Sequence, residues 1–190
     1  MTRLPRRGGH RLTGRPPEGE AWVWITHNML ASIAYQALGI HARRILDFLM
    51  CENMSHAGCE NGRLHAPYLQ LARFGVTGDD ISRGFEELFV AGLVIKTRQG
   101  LRIAGGGAPS LYALTWLPTL LGSPDEQPAT NDWRRAVRWM NRDGVGSVSE
   151  ARSWLRDQTA HLRRGGRRKW RSTQQMRTAS PPTCEVELTS

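Results

Sequence analysis

The feature that most constrains this chain is a change of apolar period between residues 67 and 116. Residues 67–74 read as a short helix, because Pro67 at the first helical turn forfeits only an N–H that has no partner there. Gly75 stops it. Two residues later Thr77 can cap a second helix, with Asp80 three positions on as the reciprocal acid. In that helix Ile81, Phe85, Leu88 and Phe89 keep i, i+4, i+7, i+8 spacing, and Ala91-Gly92 ends it. The period then drops to two. Residues 93–98 are rich in β-branched side chains, 99–110 form a loop with three successive glycines, and 111–116 return as a second strand. Two helices hinged at a tight glycine turn, followed by a β-hairpin, leave few folds open.

The flanking segments extend this unit. Residues 41–53 predict a helix with Ala42, Ile45, Leu46 and Leu49 as its stripe, widened by Phe48. Asn61-Gly62 is turn chemistry ahead of a short strand at 63–65. Of the 67–74 helix, Leu69 or Tyr68, Leu71 and Phe74 are expected inside. A first helix is expected over 26–38, ended by Gly39, with Leu30, Ile33, Ala34, Ala37 and Leu38 on one face. Residues 21–40 carry no charged side chain. Thr26, His27, Asn28, Ser32 and Gln36 nevertheless interrupt them, and Glu18 and Glu20 precede them, which favours a soluble amphipathic helix over a signal or anchor. No membrane partner is expected. Three cysteines without a repeated spacing point to a reducing, cytoplasmic setting.

Charge divides the chain more sharply than composition does. The net charge of +9 is distributed as +3 over residues 1–20, −1 over 21–130 and +7 over 131–190. A neutral centre between basic ends suits a polyanion. The expected organisation is a disordered basic arm at 1–20, a folded domain at 21–118 and a Pro-containing linker at 119–130. A helical segment at 131–165 and a disordered basic tail at 166–190 follow. Within 131–165, Asn131 can cap a helix carrying Trp133, Val137 and Met140. Ser147 with Glu150 forms a capping box for another carrying Ala151, Trp154, Leu155 and Leu162. Trp133, Trp139 and Trp154 read as core or interface residues.

The order helix, short strand, helix, tight turn, helix, strand, loop, strand over 41–116 is that of a winged helix-turn-helix. The fold class expected is therefore mainly α with a small β-hairpin, plus C-terminal helices and basic tails. The stretches ENGRLHAPYLQLARFGVTGDDISRGFEELFVAGLVIKT and PSLYALTW resemble winged-helix proteins of bacterial plasmids and phages, including replication-initiator-type domains and small transcription regulators. The resemblance rests on Asn61-Gly62, on Gly75, on the helix exit from Glu87-Leu88 to Ala91-Gly92-Leu93, and on the run from Tyr112 through Ala113, Leu114 and Thr115 to Trp116. It implies double-stranded DNA as partner, in transcription regulation or replication.

Within that frame the 77–90 helix would enter the major groove while the helix before it lies over phosphates. Arg83 could pair with guanine, and Thr77 or Ser82 could reach base or phosphate. The preceding helix offers Tyr68 and Gln70 as DNA contacts, and the hairpin offers Lys96, Arg98 and Arg102 for phosphates. The run Arg163, Arg164, Arg167, Arg168, Lys169, Trp170 and Arg171 reads as a non-specific nucleic-acid tail in which Trp170 can stack on a base. One feature opposes groove insertion. The presumed recognition helix carries Asp79, Asp80, Glu86 and Glu87 against Arg83 alone. The alternative is a protein-interaction module that uses this acidic helix to dock a basic partner, with the tails binding nucleic acid. A homodimer is compatible with either reading.

Other chemistries find little support in the residues. Cys51, His56, Cys59 and His65 lack the tight spacing of a zinc site. There is no phosphate-binding glycine loop and no justified nucleophile–base pair. No enzyme activity, cofactor, metal or small-molecule substrate is expected.

Overall fold

The structure, a computed structural model, describes residues 19–100 and 108–164. Seven helices and three strands are assigned among them. They are α1 (His27–Leu30), α2 (Ile33–Gln36), α3 (Ile40–Ser55), β1 (Leu64–His65), α4 (Tyr68–Arg73), α5 (Gly78–Val90), β2 (Val94–Arg98), β3 (Leu111–Leu114), α6 (Trp133–Arg142) and α7 (Val148–Arg164). The fold is mainly helical with one small antiparallel sheet of strand order β1-β3-β2. The β2–β3 hairpin slips register between Lys96 and Arg98, which sit opposite Tyr112 and Leu111. No helix among the described residues is long and apolar enough to cross a membrane.

The central packing follows the expected stripes. Ala42, Ile45, Leu46, Phe48 and Leu49 of α3 are buried, as are Ile81, Phe85 and Leu88 of α5. The two helices meet at Gly84, where an added Cβ would lie 2.6 Å from the Ile45 Cδ1 methyl and 3.2 Å from the Ala42 backbone nitrogen. The turn between α4 and α5 holds Gly75 at φ +86°, and the Arg44 guanidinium donates to the Gly75 carbonyl.

Several local expectations are corrected. The single helix over 26–38 is two one-turn helices, because Ser32 restarts the chain: its Oγ accepts the Tyr35 N–H at 3.3 Å and donates to the Met29 carbonyl at 2.7 Å. In α4 only Leu71 is buried, while Tyr68 and Leu69 are 61% and 64% exposed and Phe74 lies edge-on against Phe48 at 5.6 Å. A helix of six residues presents too narrow a face to bury more. At the start of α5 the reciprocal box does not form: the Thr77 hydroxyl donates to the Asp80 carboxylate instead of accepting a backbone N–H.

Asn61 does more than turn the chain. Fully buried, it donates through Nδ2 to the carbonyls of Leu114 (3.0 Å), Leu117 (3.2 Å) and Pro118 (3.0 Å) and accepts the Leu114 N–H at 2.7 Å. Its own carbonyl accepts the Leu120 N–H. The 119–130 segment is fastened by this bond and by an antiparallel bridge between Thr119 and Gln127.

The C-terminal helices share the core. Trp133 and Met140 of α6 and Ala151 and Leu155 of α7 belong to the same apolar cluster as α3 and α5. Ser147 and Glu150 form the expected box at the start of α7, with the Glu150 N–H on Ser147 Oγ and the Ser147 N–H on Glu150 Oε2. Asn131 does not cap α6: it takes φ +50°, and its side chain accepts from Trp133 Nε1. Trp133 is buried and Trp154 packs on the core, donating to Asp143 at 2.8 Å, whereas Trp139 is exposed. Leu162, expected on the α7 stripe, is also exposed.

Candidate nucleic-acid interface

The first turns of α5 face solvent because the apolar stripe through Ile81, Gly84, Phe85 and Leu88 is buried against α3 and the sheet. That orientation leaves Thr77, Asp79, Ser82 and Arg83 exposed. Asp80 lies between the faces. Its carboxylate takes the Thr77 hydroxyl and has His41 Nε2 at 3.3 Å and Arg83 Nη1 at 3.7 Å. These groups hold its pKa below the ordinary carboxyl range, the Thr77 hydrogen bond contributing most. The Arg83 side chain remains 65% exposed.

Beside α5 lies a cleft of about 500 Å³, bounded by the start of α4, one flank of α5 and the hairpin. Tyr68, Ser82, Glu86 and Lys96 line it, with Gln99 and Ser110 at the hairpin end. Its floor is an aromatic stack: Phe85 and Tyr112 lie at 4.4 Å and 15° between planes, and Phe89 continues the row 5.8 Å from Phe85. Lys96 sits over the Phe89 ring at 5.7 Å and donates to Gln99 Oε1 at 3.2 Å. Burial lowers its pKa. Lys96 is thus a partly desolvated cation inside the cleft.

Tyr68, Ser82 and Lys96, proposed from the sequence as DNA contacts, are therefore brought to one cleft, and Arg83 stands on the neighbouring face of α5. Gln70 is exposed on α4 outside the cleft lining. The Thr77 hydroxyl is taken by Asp80. Arg98 is exposed and reaches the Pro109 carbonyl at 3.5 Å. Arg164 is exposed in the last turn of α7. Arg102, Arg167, Arg168, Lys169, Trp170 and Arg171 lie outside the described residues.

The carboxylates in the second half of α5 are engaged within the chain, Glu86 by α7, which packs on α5, and Glu87 by the start of α3. Arg163 Nε donates to Glu86 Oε2 at 2.5 Å. Glu87 accepts the Gly39 N–H at 2.5 Å. Burial raises the Glu87 pKa, and the Gly39 hydrogen bond and the charges of Arg152, Arg43 and Arg83 offset only part of that rise. Neither the Glu86–Arg163 pair nor the stack on Tyr112 has a local signature in the sequence. The one trace of the first is the excess of arginine at 131–164 opposite an acidic helix, and that of the second is the Phe85–Phe89 i,i+4 pair facing a strand aromatic.

Among the described residues no group of three or more histidine, cysteine or acidic side chains is placed to hold a metal ion, and Cys51 and Cys59 are free thiols. The chain matches no protein-family model, no curated protein and no solved structure.

Proposed function

We propose that this is a winged-helix protein that binds double-stranded DNA, acting in transcription regulation or as a replication-associated factor. In this reading α4 and α5 form the helix-turn-helix, the β2–β3 hairpin is the wing, and β1 closes the sheet against β3. The observation that carries it is the cleft between α5 and the hairpin. Its rims present Tyr68, Ser82 and Lys96 beside the exposed Arg83, and Arg98 lies at the end of β2. A sugar–phosphate backbone in this cleft would meet hydroxyls and cations, while the solvent-facing first half of α5 would approach base edges. The carboxylates of α5 are mostly turned into the chain, and one of them, Glu86, is paired with the charge of Arg163. Asp80, Glu86 and Glu87 are occupied within the chain, which leaves Asp79 as the solvent-facing carboxylate of the helix. The same engagement weakens the reading of α5 as a dock for a basic partner protein.

Truncation at 119–130 would strip Trp133, Met140, Ala151 and Leu155 from the core, so the test uses point substitutions in the full chain. Duplex binding is measured by fluorescence anisotropy against salt concentration. Arg83→Ala and Arg98→Ala are each expected to weaken binding and to make the log–log salt slope shallower by about one. Wild-type binding that neither substitution changes would assign affinity to the terminal arms and overturn this surface. No binding by the wild type would overturn the DNA reading altogether.

A further inference from the structure

The acidic α5 helix and the basic α7 helix are charge partners. Glu86 lines the cleft on which the DNA-binding reading rests, yet it projects from a helix that would have to approach phosphate. Arg163 comes from the last turn of α7, 77 residues away, and meets Glu86 through Nε at 2.5 Å. Further along the same pair of helices, Glu87 lies within the field of Arg152. α7 cannot easily drift from this position, because Ala151 and Leu155 are buried in the common core and the Ser147–Glu150 box fixes its start. An isolated surface ion pair is worth little. This one is carried on two helices locked together by apolar packing, so its geometry does not depend on the pair's own strength.

We propose that Arg163 is a positioning residue for nucleic-acid binding: it stays on Glu86 in the complex and cancels the carboxylate that would otherwise face the phosphate backbone at the cleft. This rests on the DNA-binding reading. α7 then has a role distinct from that of a basic tail. Removing the Arg163 charge uncovers a carboxylate at the interface, whereas removing the Arg164 charge loses only general attraction. In physical terms the important quantity is the local sum at Glu86, which is zero in the wild type and zero again when both side chains are neutral.

The test uses full-length protein with Arg163→Gln, Arg164→Gln, Glu86→Gln and the Arg163→Gln/Glu86→Gln double variant. Duplex affinity is read by anisotropy, and folding of each variant is checked by thermal melting. Arg163→Gln should weaken binding about tenfold and Arg164→Gln about threefold or less, and the double variant should return to within about twofold of wild type. The Arg163 Nε–H resonance, identified by its loss in Arg163→Gln, should shift in Glu86→Gln and persist when duplex is added. The proposal is overturned if Arg163→Gln binds no more weakly than Arg164→Gln, or if the double variant stays as weak as Arg163→Gln. It is equally overturned if the Nε–H signal loses its dependence on Glu86 in the complex, because phosphate has then taken the guanidinium. Failure of the wild type to bind duplex would reject the underlying DNA reading, an outcome distinct from these three.

Discussion

The Glu87 carboxylate accepts the backbone N–H of Gly39, tying the second half of α5 to the residue that opens α3. Burial nevertheless dominates its protonation and raises its pKa. The stability linked to this group is therefore fully present below the unfolded carboxyl value and is lost as pH rises through the raised folded value. Glutamine keeps an oxygen for Gly39 and has no charge to desolvate. Glu87→Gln should melt at a higher temperature than wild type at neutral pH, and the gap should close as pH falls below the ordinary carboxyl range. Thermal melts across that pH window check it; a constant gap would mean that the charge is not the cause.

Gly92 decides how α6 docks. It takes φ +69° at the exit of α5, and an added Cβ would lie 2.6 Å from both the carbonyl carbon and the oxygen of Asp132. Gly92→Ala is expected to cost about 2–4 kcal/mol, combining left-handed backbone strain with displacement of α6. Gly144, at φ +77° with open space around its Cβ position, is the control. Gly144→Ala should cost only the strain, about 1–2 kcal/mol. Denaturant unfolding of the two variants separates the terms.

Asn61 holds three carbonyls and one N–H of the β3 exit in a buried site. Asn61→Ala leaves them without these partners and should cost about 3 kcal/mol or more. Asn61→Asp should be worse at neutral pH, since its carboxylate would oppose the carbonyl oxygens, and should recover in part in acid. Chemical denaturation at two pH values reads both effects.

The start of α7 is held by its capping box. Backbone N–H groups of Gly146 and Ser147 keep the Glu150 pKa below its ordinary value. The stability this group contributes is present above the unfolded value and lost as pH falls through the depressed one. Ser147→Ala should destabilise the fold by about 1 kcal/mol. Glu150→Gln should flatten the acid limb of the stability–pH curve, opposite in sense to Glu87→Gln. Hydrogen exchange of α7 amides in acid shows whether the loss is local to that helix.

Much of the architecture was legible in the residues because it depends on near neighbours. The stripe of α3, the spacing in α5, the glycine turn between α4 and α5, and the return strand all follow from positions two to four apart. Ser32 shows the limit of that logic: its hydroxyl can either ride a helix or restart one, and the restart buries Met29 and leaves Leu30, expected on the apolar face, exposed. Leu69 and Phe74 show another, since a stripe does not state how much surface will be there to cover it.

By itself the sequence determined the helical and strand periods, the turn chemistry, and a near-neutral centre between basic ends. Only the tertiary structure decided where the charge of α5 goes. Residues 86 and 163 have no local relation. Their meeting depends on the docking of α7 through Ala151 and Leu155, and α6 beside it depends on the bare backbone at Gly92. Periodicity reports which face of a helix is apolar; it carries no record of which distant helix will cover that face, or of which charges that helix will bring.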